Sequence, residues 1–231
     1  MYGYYYYYDP TYFLVLIGLV LGLLASLGVK STYAKYSRVY NARGLTAAEV
    51  AKRILLNAGI TDVAIEQVSG ELTDHYSPKE KVLRLSSSVY NSTSVGSIGV
   101  AAHECGHAIQ HAQGYAPIII RNTIYPIVNI SNHLAVPLVI FGLALSATGL
   151  IQLGILLFVA VVAFQVITLP VEFNASRRAI RILDDGNYLD TAELHGAKAV
   201  LRAAAMTYVA ATISAVLQLL RLILLSKRRR R

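Results

Sequence analysis

The chain has 231 residues, of which 55% are hydrophobic and 15% are charged. A typical soluble domain carries about 25% charged residues, so this composition excludes an ordinary water-soluble globule as well as a disordered chain. The formal net charge is +8, and residues 227–231 supply five of these charges, which favours anionic lipid over nucleic acid as the partner. The single cysteine excludes a disulfide framework within the chain.

The first predicted element is a membrane span over residues 13–29, which contain no charged side chain. Its 17 residues lie at the short end of what crosses a bilayer. Residues 1–12 lack the Lys or Arg of a signal peptide and are rich in tyrosine, which is enriched at the membrane–water interface. We therefore predict an uncleaved N-terminal anchor.

A polar block over residues 30–121 follows and is predicted to form the cytosolic part of the protein. Thr46 and Glu49 match the capping box that opens a helix, and Gly59 stands where such a helix would end. Alternating apolar residues and a turn then predict a small antiparallel β-sheet. Its short strands are expected over residues 63–68, 72–76 and 82–85.

The next predicted helix, over residues 95–113, is rich in glycine and alanine, and so thin a helix is expected to be central. It carries His103-Glu104-Cys105-Gly106-His107, an H-E-x-x-H motif. Four residues correspond to about 400° of helix rotation, so the imidazoles of His103 and His107 project from one face and can bind one Zn²⁺. Zinc lowers the pKa of a bound water to about 7, and Glu104 is expected to accept its proton during attack on a peptide carbonyl.

A stretch without Asp, Glu, Lys or Arg covers residues 122–171 and is long enough for a transmembrane hairpin. We predict this hairpin over residues 134–169. Pro126 and Pro137 predict an interrupted entry into its first helix. The two helices are expected over residues 134–148 and 150–169, with a turn around Gly149.

A zinc site needs a third protein ligand, and the metzincin extension is absent because Gln110 and Gln113 occupy its Gly and His positions. Glu172 is the best candidate, since an acidic residue at a membrane boundary needs a partner. We predict a third-ligand helix and loop over residues 170–202. The alternatives are a structural salt bridge from Glu172 to Arg177 or Arg178, or another carboxylate ligand among Asp184, Asp185, Asp190 and Glu193.

The final apolar segment, over residues 203–225, includes Arg221 and is predicted either as a fourth span or as a helix lying at the membrane surface. Lys and Arg residues follow the first span and the hairpin, which predicts that both regions are cytoplasmic. A crossing final helix would place residues 227–231 outside, against the positive-inside rule.

Several strings resemble a known family over nearly the whole chain. They are Leu72-Thr-Asp-His-Tyr76, the H-E-x-x-H motif together with the Ala108-Ile-Gln-His111 that directly follows it, and residues 168–176 and 207–210. The chain resembles the YugP-like neutral zinc metallopeptidases, a family of membrane proteases, which implies zinc-dependent proteolysis in a bacterial cell membrane. This family is similar in layout to the heat-shock membrane zinc proteases and the prenyl-protein protease, whose third ligand is a Glu after a transmembrane hairpin. That layout implies Glu172 as the ligand.

In those relatives an Asp four residues after the ligand Glu orients a zinc-binding His, and Ser176 occupies this position here. The resemblance therefore implies that Asn174 or Ser176 supplies the hydrogen bond. It also implies that the strand carrying His75 lines the substrate cleft.

Hydrolysis needs a donor for the developing oxyanion besides the metal. We single out His75 and Tyr208 for this role, while Tyr76, His195 and Arg177 are weaker candidates. Cys105 points away from His103 on the predicted helix and is expected to fill space in the core.

Taken together, the sequence predicts a mainly α-helical, multi-pass membrane protein with one domain over residues 1–231 and a gluzincin-like core joined to the hairpin. We expect His103, His107 and Glu172 to bind one Zn²⁺ per chain and Glu104 to act as base and acid. The predicted partners are the bilayer and a protein or peptide substrate, cut at the cytoplasmic side. The alternatives are a non-proteolytic zinc-binding scaffold or adaptor and a small-molecule transporter; a transporter is disfavoured because the hairpin lacks charged residues.

Overall fold

The computed structural model describes residues 9–228 and is mainly helical, with a small three-stranded sheet. The tyrosines among residues 2–8 and the arginines at 229–231 lie outside the described residues. The elements are α1 (Tyr12–Tyr36), α2 (Ala47–Asn57), β1 (Ala64–Val68), β2 (His75–Ser77), β3 (Val82–Ser86), α3 (Ser87–Tyr90), α4 (Val95–Ala112), α5 (Ala116–Ala144), α6 (Thr148–Asp185) and α7 (Thr191–Arg228).

Four helices, α1, α5, α6 and α7, are long and apolar enough to cross a membrane by length and composition. The predicted span over residues 13–29 falls inside α1, and the final apolar segment over residues 203–225 falls inside the single long helix α7. The prediction of a mainly helical chain is confirmed, and so is the presence of helices long and apolar enough to span a membrane.

Helix α5 runs without a break through Pro126 and Pro137, so the predicted interruption is wrong. Prolines are tolerated inside apolar helices because neighbouring groups and local adjustments satisfy the carbonyls that they free. Residues 145–147 connect α5 to α6, so the turn comes before Gly149, which lies inside α6. Glu172 also lies on α6 rather than on a separate third-ligand helix.

The chain forms two compact units. The first comprises the described residues of 9–24, 124–166 and 209–228. In it α5 and α6 approach closely, since a Cβ on Gly154 would lie 2.6 Å from the carbonyl oxygen of Ala135. Its buried apolar cluster consists of Ala135, Val139, Ile151, Phe158 and Leu222.

The second unit comprises residues 25–123 and 167–208 and includes the sheet, whose strand order is β1-β3-β2. Strand β3 pairs parallel with β1 and antiparallel with β2. The prediction of an antiparallel sheet is therefore wrong for one of the two pairings. Because β3 is the most buried strand, it takes the central position although it comes last in sequence.

Helix α2 begins with the predicted capping box. The Thr46 hydroxyl accepts from the amide of Glu49 at 3.2 Å, and the Glu49 carboxylate accepts from the amide of Thr46 at 2.8 Å. Gly59, at φ +73°, follows the helix end in the left-handed conformation that favours glycine. The local signals at both ends of this helix are thus confirmed.

Helix α4 is central to the second unit, as its thin sequence predicts. Fourteen of its 18 residues are buried. A Cβ on Gly106 would lie 2.8 Å from the carbonyl oxygen of Ala175, so only glycine allows α4 and α6 to approach this closely. This contact places the H-E-x-x-H face of α4 directly against α6.

Candidate metal centre

Three side chains from two helices converge in the second unit. His103 and His107 of α4 and Glu172 of α6 each offer a ligand atom, and these atoms all lie within 4.8 Å of one another. Oε2 of Glu172 lies 3.2 Å from Nε2 of His103 and 3.6 Å from Nε2 of His107. The i, i+4 spacing on α4 directs both rings to one point, as the sequence predicts, and the close contact of α6 brings the carboxylate to that point.

The outer nitrogen of each imidazole has its own partner. The Ser176 hydroxyl lies 3.1 Å from Nδ1 of His103, and Oε1 of Gln110 lies 3.0 Å from Nδ1 of His107. The Gln110 amide group in turn donates to Asn174 Oδ1 at 2.9 Å and to the Val171 carbonyl at 2.8 Å. These contacts orient both Nε2 atoms towards the shared point, as outer hydrogen bonds do around bound metals.

The donor set fits zinc. Two imidazole nitrogens and one carboxylate oxygen are the ligands of many catalytic zinc sites, which keep a further position open. Glu172 is 3% exposed and His107 is 9% exposed, so the ligand atoms lie in a protected environment. The structure thus brings together all three residues that the sequence analysis proposed as ligands.

The second oxygen of Glu172 is held by Arg121. Nη1 of Arg121 donates to Oε1 of Glu172 at 2.9 Å, which leaves Oε2 directed at the two histidines. Arg121 was not predicted as a partner from the sequence, which suggested Arg177 or Arg178 as the ion-pair partner of Glu172 instead. A signal was present, because Arg121 is the last charged residue before the charge-free stretch and Glu172 is the first after it.

Glu104 is buried next to the ligands. Burial raises the pKa of its carboxyl group to about 7, against the opposing effect of nearby His103. A carboxyl group with a pKa near neutrality exchanges protons readily in both directions at physiological pH.

Two cavities reach this site. The larger, of about 240 Å³, is lined by His103, Glu104, Glu172 and Tyr208 among others. The smaller cavity, of about 160 Å³, shares Glu104, Glu172 and Tyr208 with the larger one. It is also lined by His75, Tyr76, His107 and Arg121 among others. Tyr208 thus faces both cavities, whereas His75 lines the smaller one and its ring Nδ1 lies 2.9 Å from the Thr73 carbonyl.

Other residues weighed from the sequence lie outside the cluster. Glu193 and Asp190 cap the start of α7 through reciprocal hydrogen bonds of 2.8 Å. Arg178 donates to Asn174 and Gln113 instead of pairing with Glu172. Cys105 is fully buried, which raises the pKa of its thiol and fits the predicted role of filling space in the core.

Comparison with known proteins gives a match over almost the whole chain. Residues 11–227 match the model of a family described as "Putative neutral zinc metallopeptidase". The chain is 46% identical over 213 residues to the "Putative membrane protease YugP" of Bacillus subtilis (strain 168), covering 92% of this chain and 95% of that protein. The comparison with solved structures found no match.

Proposed function

Because the chain belongs to the family described as "Putative neutral zinc metallopeptidase", we propose that it is a zinc-dependent endopeptidase of the bacterial membrane. The observation that carries the proposal is the convergence of His103, His107 and Glu172 on one point, with the buried carboxyl group of Glu104 beside them. In this proposal the three residues hold one Zn²⁺ per chain, and the site forms a gluzincin-like core.

Zinc, when bound, supplies a Lewis acid and lowers the pKa of a bound water. The carboxylate of Glu104 accepts the proton of the attacking water and later donates it to the amine nitrogen that leaves. Its position beside both histidines and Glu172, at a wall of both cavities, supports both transfers. Ser176 and Gln110 keep the imidazoles in a fixed orientation throughout.

The cavity residues supply the groups that bind substrate. Tyr208 faces both cavities, and its hydroxyl is proposed to donate to the carbonyl oxygen of the peptide bond under attack. His75 lies at the edge strand β2, which lines the smaller cavity, and we assign it a second donor role.

The membrane arrangement is part of the same proposal. Helices α5 and α6 are proposed to form the transmembrane hairpin, and the basic residues that follow the first span and the hairpin support a site on the cytoplasmic side. Glu172 directly follows the charge-free stretch over residues 122–171, so the site lies close to the bilayer surface. Membrane proteins and unfolded segments are therefore the proposed substrates.

The test is peptide cleavage by zinc-loaded protein in detergent, read by mass spectrometry with a peptide library and with membrane-anchored substrates. Glu104→Gln should lower cleavage about 10³-fold, within the range for losing a general base, and should leave the zinc content unchanged. Glu71→Gln, an exposed carboxylate in the loop before β2, is the matched control and should cleave normally. Equal cleavage by Glu104→Gln would show that the cleavage does not come from this site and would overturn the proposal. Zinc binding without any cleavage would overturn it in favour of a zinc-binding scaffold or adaptor.

A further inference from the structure

A second concave surface lies between α6 and α7, within the second unit. This groove has a volume of about 620 Å³. Successive turns of both helices line it, and apart from Ser176 and Ala205 their residues divide into a basic set and an apolar set. The basic set is Arg177, Lys198 and Arg202, and the apolar set is Phe173, Ile180, Leu201 and Met206.

The three basic side chains of the groove have no acidic partner. Arg177, Lys198 and Arg202 are all exposed, and none of them forms an ion pair with any of residues 9–228. Arg177 uses its Nε only for the carbonyl of Phe173, one turn earlier at 3.3 Å. Three cations that share one groove without a counter-charge favour an anionic ligand.

Apart from the hydroxyl group of Ser176, the rest of the groove is apolar and open. Phe173 is 39% exposed and Met206 is 48% exposed. Both line the groove next to the apolar side chains of Ile180 and Leu201. Leaving such side chains uncovered forfeits the free energy of burying them. The groove therefore suits a ligand with an anionic end and a hydrocarbon part.

The position of the groove along the chain narrows the choice of ligand. On α6 it begins at Phe173, two residues after the charge-free stretch ends, and on α7 Arg202 is the last charged residue before an uncharged run over residues 203–220. Both walls thus lie where a helix changes from apolar to charged sequence. In a membrane helix such positions lie at the level of the lipid headgroups.

We propose that this groove binds one anionic phospholipid. The headgroup phosphate is bound by Arg177, Lys198 and Arg202, and an acyl chain lies along Phe173, Leu201 and Met206. Charge complementarity supports this occupant, because juxtamembrane Lys and Arg residues attract anionic lipids. The proposal does not rest on the proposed peptidase function, since the lipid-binding residues include neither the metal ligands nor Glu104, although Ser176, the partner of His103 Nδ1, also lines the groove.

The test is native mass spectrometry of the full chain in detergent with added phosphatidylglycerol, and with phosphatidylcholine of the same acyl chains. Phosphatidylglycerol should be retained preferentially. The double variant Lys198→Gln/Arg202→Gln should bind it more weakly by about fivefold for each cation removed. The matched control Lys52→Gln/Arg53→Gln removes the same two charges from exposed positions on α2 and should bind like the unmodified chain.

Further arms identify the ligand. Glycerol 3-phosphate, which has the phosphate but no acyl chain, should fail to displace phosphatidylglycerol; displacement would assign the groove to free phosphate compounds. A photoreactive amino acid in place of Met206 should yield adducts with the mass of a phospholipid in membranes, and polypeptide adducts would overturn the proposal. Equal retention of phosphatidylglycerol and phosphatidylcholine would also overturn the proposal. So would an equal loss of phosphatidylglycerol binding in the two double variants.

Discussion

Helix α4 buries 14 of its 18 residues, whereas α1 buries only one of its 25. The contrast runs against their compositions, because α4 carries two histidines and a glutamate on its buried face, while α1 consists mostly of leucine, valine and glycine. Leucines such as Leu19 and Leu24, 66% and 60% exposed, would be unfavourable in water.

This difference shows that the two helices require different surroundings. The two histidines of α4 tolerate burial because Ser176 and Gln110 supply hydrogen-bond partners for their Nδ1 atoms, which offsets the loss of water. The apolar surface of α1 needs no protein contacts if hydrocarbon surrounds it. Buried polar side chains on α4 therefore indicate the candidate site, and exposed apolar side chains on α1 indicate a surface suited to contact with lipid.

The largest expected effect tests whether the buried face of α4 is a metal site. Glu172→Ala removes one of the three proposed ligands, so zinc affinity should fall by more than the roughly 10–100-fold typical of losing an outer hydrogen bond. Zinc content measured by plasma mass spectrometry after dialysis checks this. Glu71→Ala should keep full zinc content, and full content in Glu172→Ala would move the third ligand to another carboxylate.

The contrast in burial itself is tested by two large-to-small substitutions. Ile98→Ala in α4, at a fully buried side chain, should lower the free energy of unfolding by about 2–5 kcal/mol. Leu23→Ala in α1, where 57% of the residue is exposed, should change it by less than about 0.5 kcal/mol. Thermal unfolding in detergent measures both, and similar losses would show that α1 is covered by a partner.

A smaller effect is expected at two glycines. Gly106→Ala places a Cβ 2.8 Å from the Ala175 carbonyl, so it should destabilise the protein by about 1–3 kcal/mol and lower zinc affinity by separating α4 from α6. Gly22→Ala meets nothing within 4 Å and should stabilise α1 by up to about 1 kcal/mol. The same unfolding assay, with zinc titration, distinguishes them; two equal losses would contradict the close approach of α4.

The smallest effect is expected at two serines. Ser176→Ala removes the partner of His103 Nδ1 and should weaken zinc binding about tenfold, the lower end for an outer contact. Ser26→Ala in α1 removes an exposed hydroxyl and should leave the zinc affinity unchanged. Competition with a fluorescent chelator measures both values. An unchanged affinity in Ser176→Ala would mean that this hydroxyl does not orient His103.

The sequence predicted those parts of the fold and site that depend on local spacing. His103 and His107 follow from a four-residue interval on one helix, and the start of α2 follows from Thr46 and Glu49. Glu172, which the structure brings next to these histidines, was proposed from a different signal, the end of a charge-free stretch together with the resemblance to a known family. In each case a few neighbouring residues carry the information.

The parts that sequence did not predict depend on contacts between distant segments. The parallel pairing of β1 with β3 requires β2 to lie beyond β3, which no short window of sequence encodes. The continuous helix through Pro126 and Pro137 depends on the surroundings of α5. Arg121 was missed because its ion pair joins two residues on either side of a 50-residue stretch.

The apolar stretch that separates Arg121 from Glu172, whose side chains meet at 2.9 Å, also has a consequence for biosynthesis. The ribosome makes His103 and His107 first, and Glu172 emerges only after the whole apolar stretch over residues 122–171 has been translated. A nascent chain with α4 complete therefore lacks the third ligand until that stretch has folded back on itself. Under the proposed function, the metal centre can therefore be completed only after this apolar stretch has been synthesised, and shorter nascent chains contain only the two histidines.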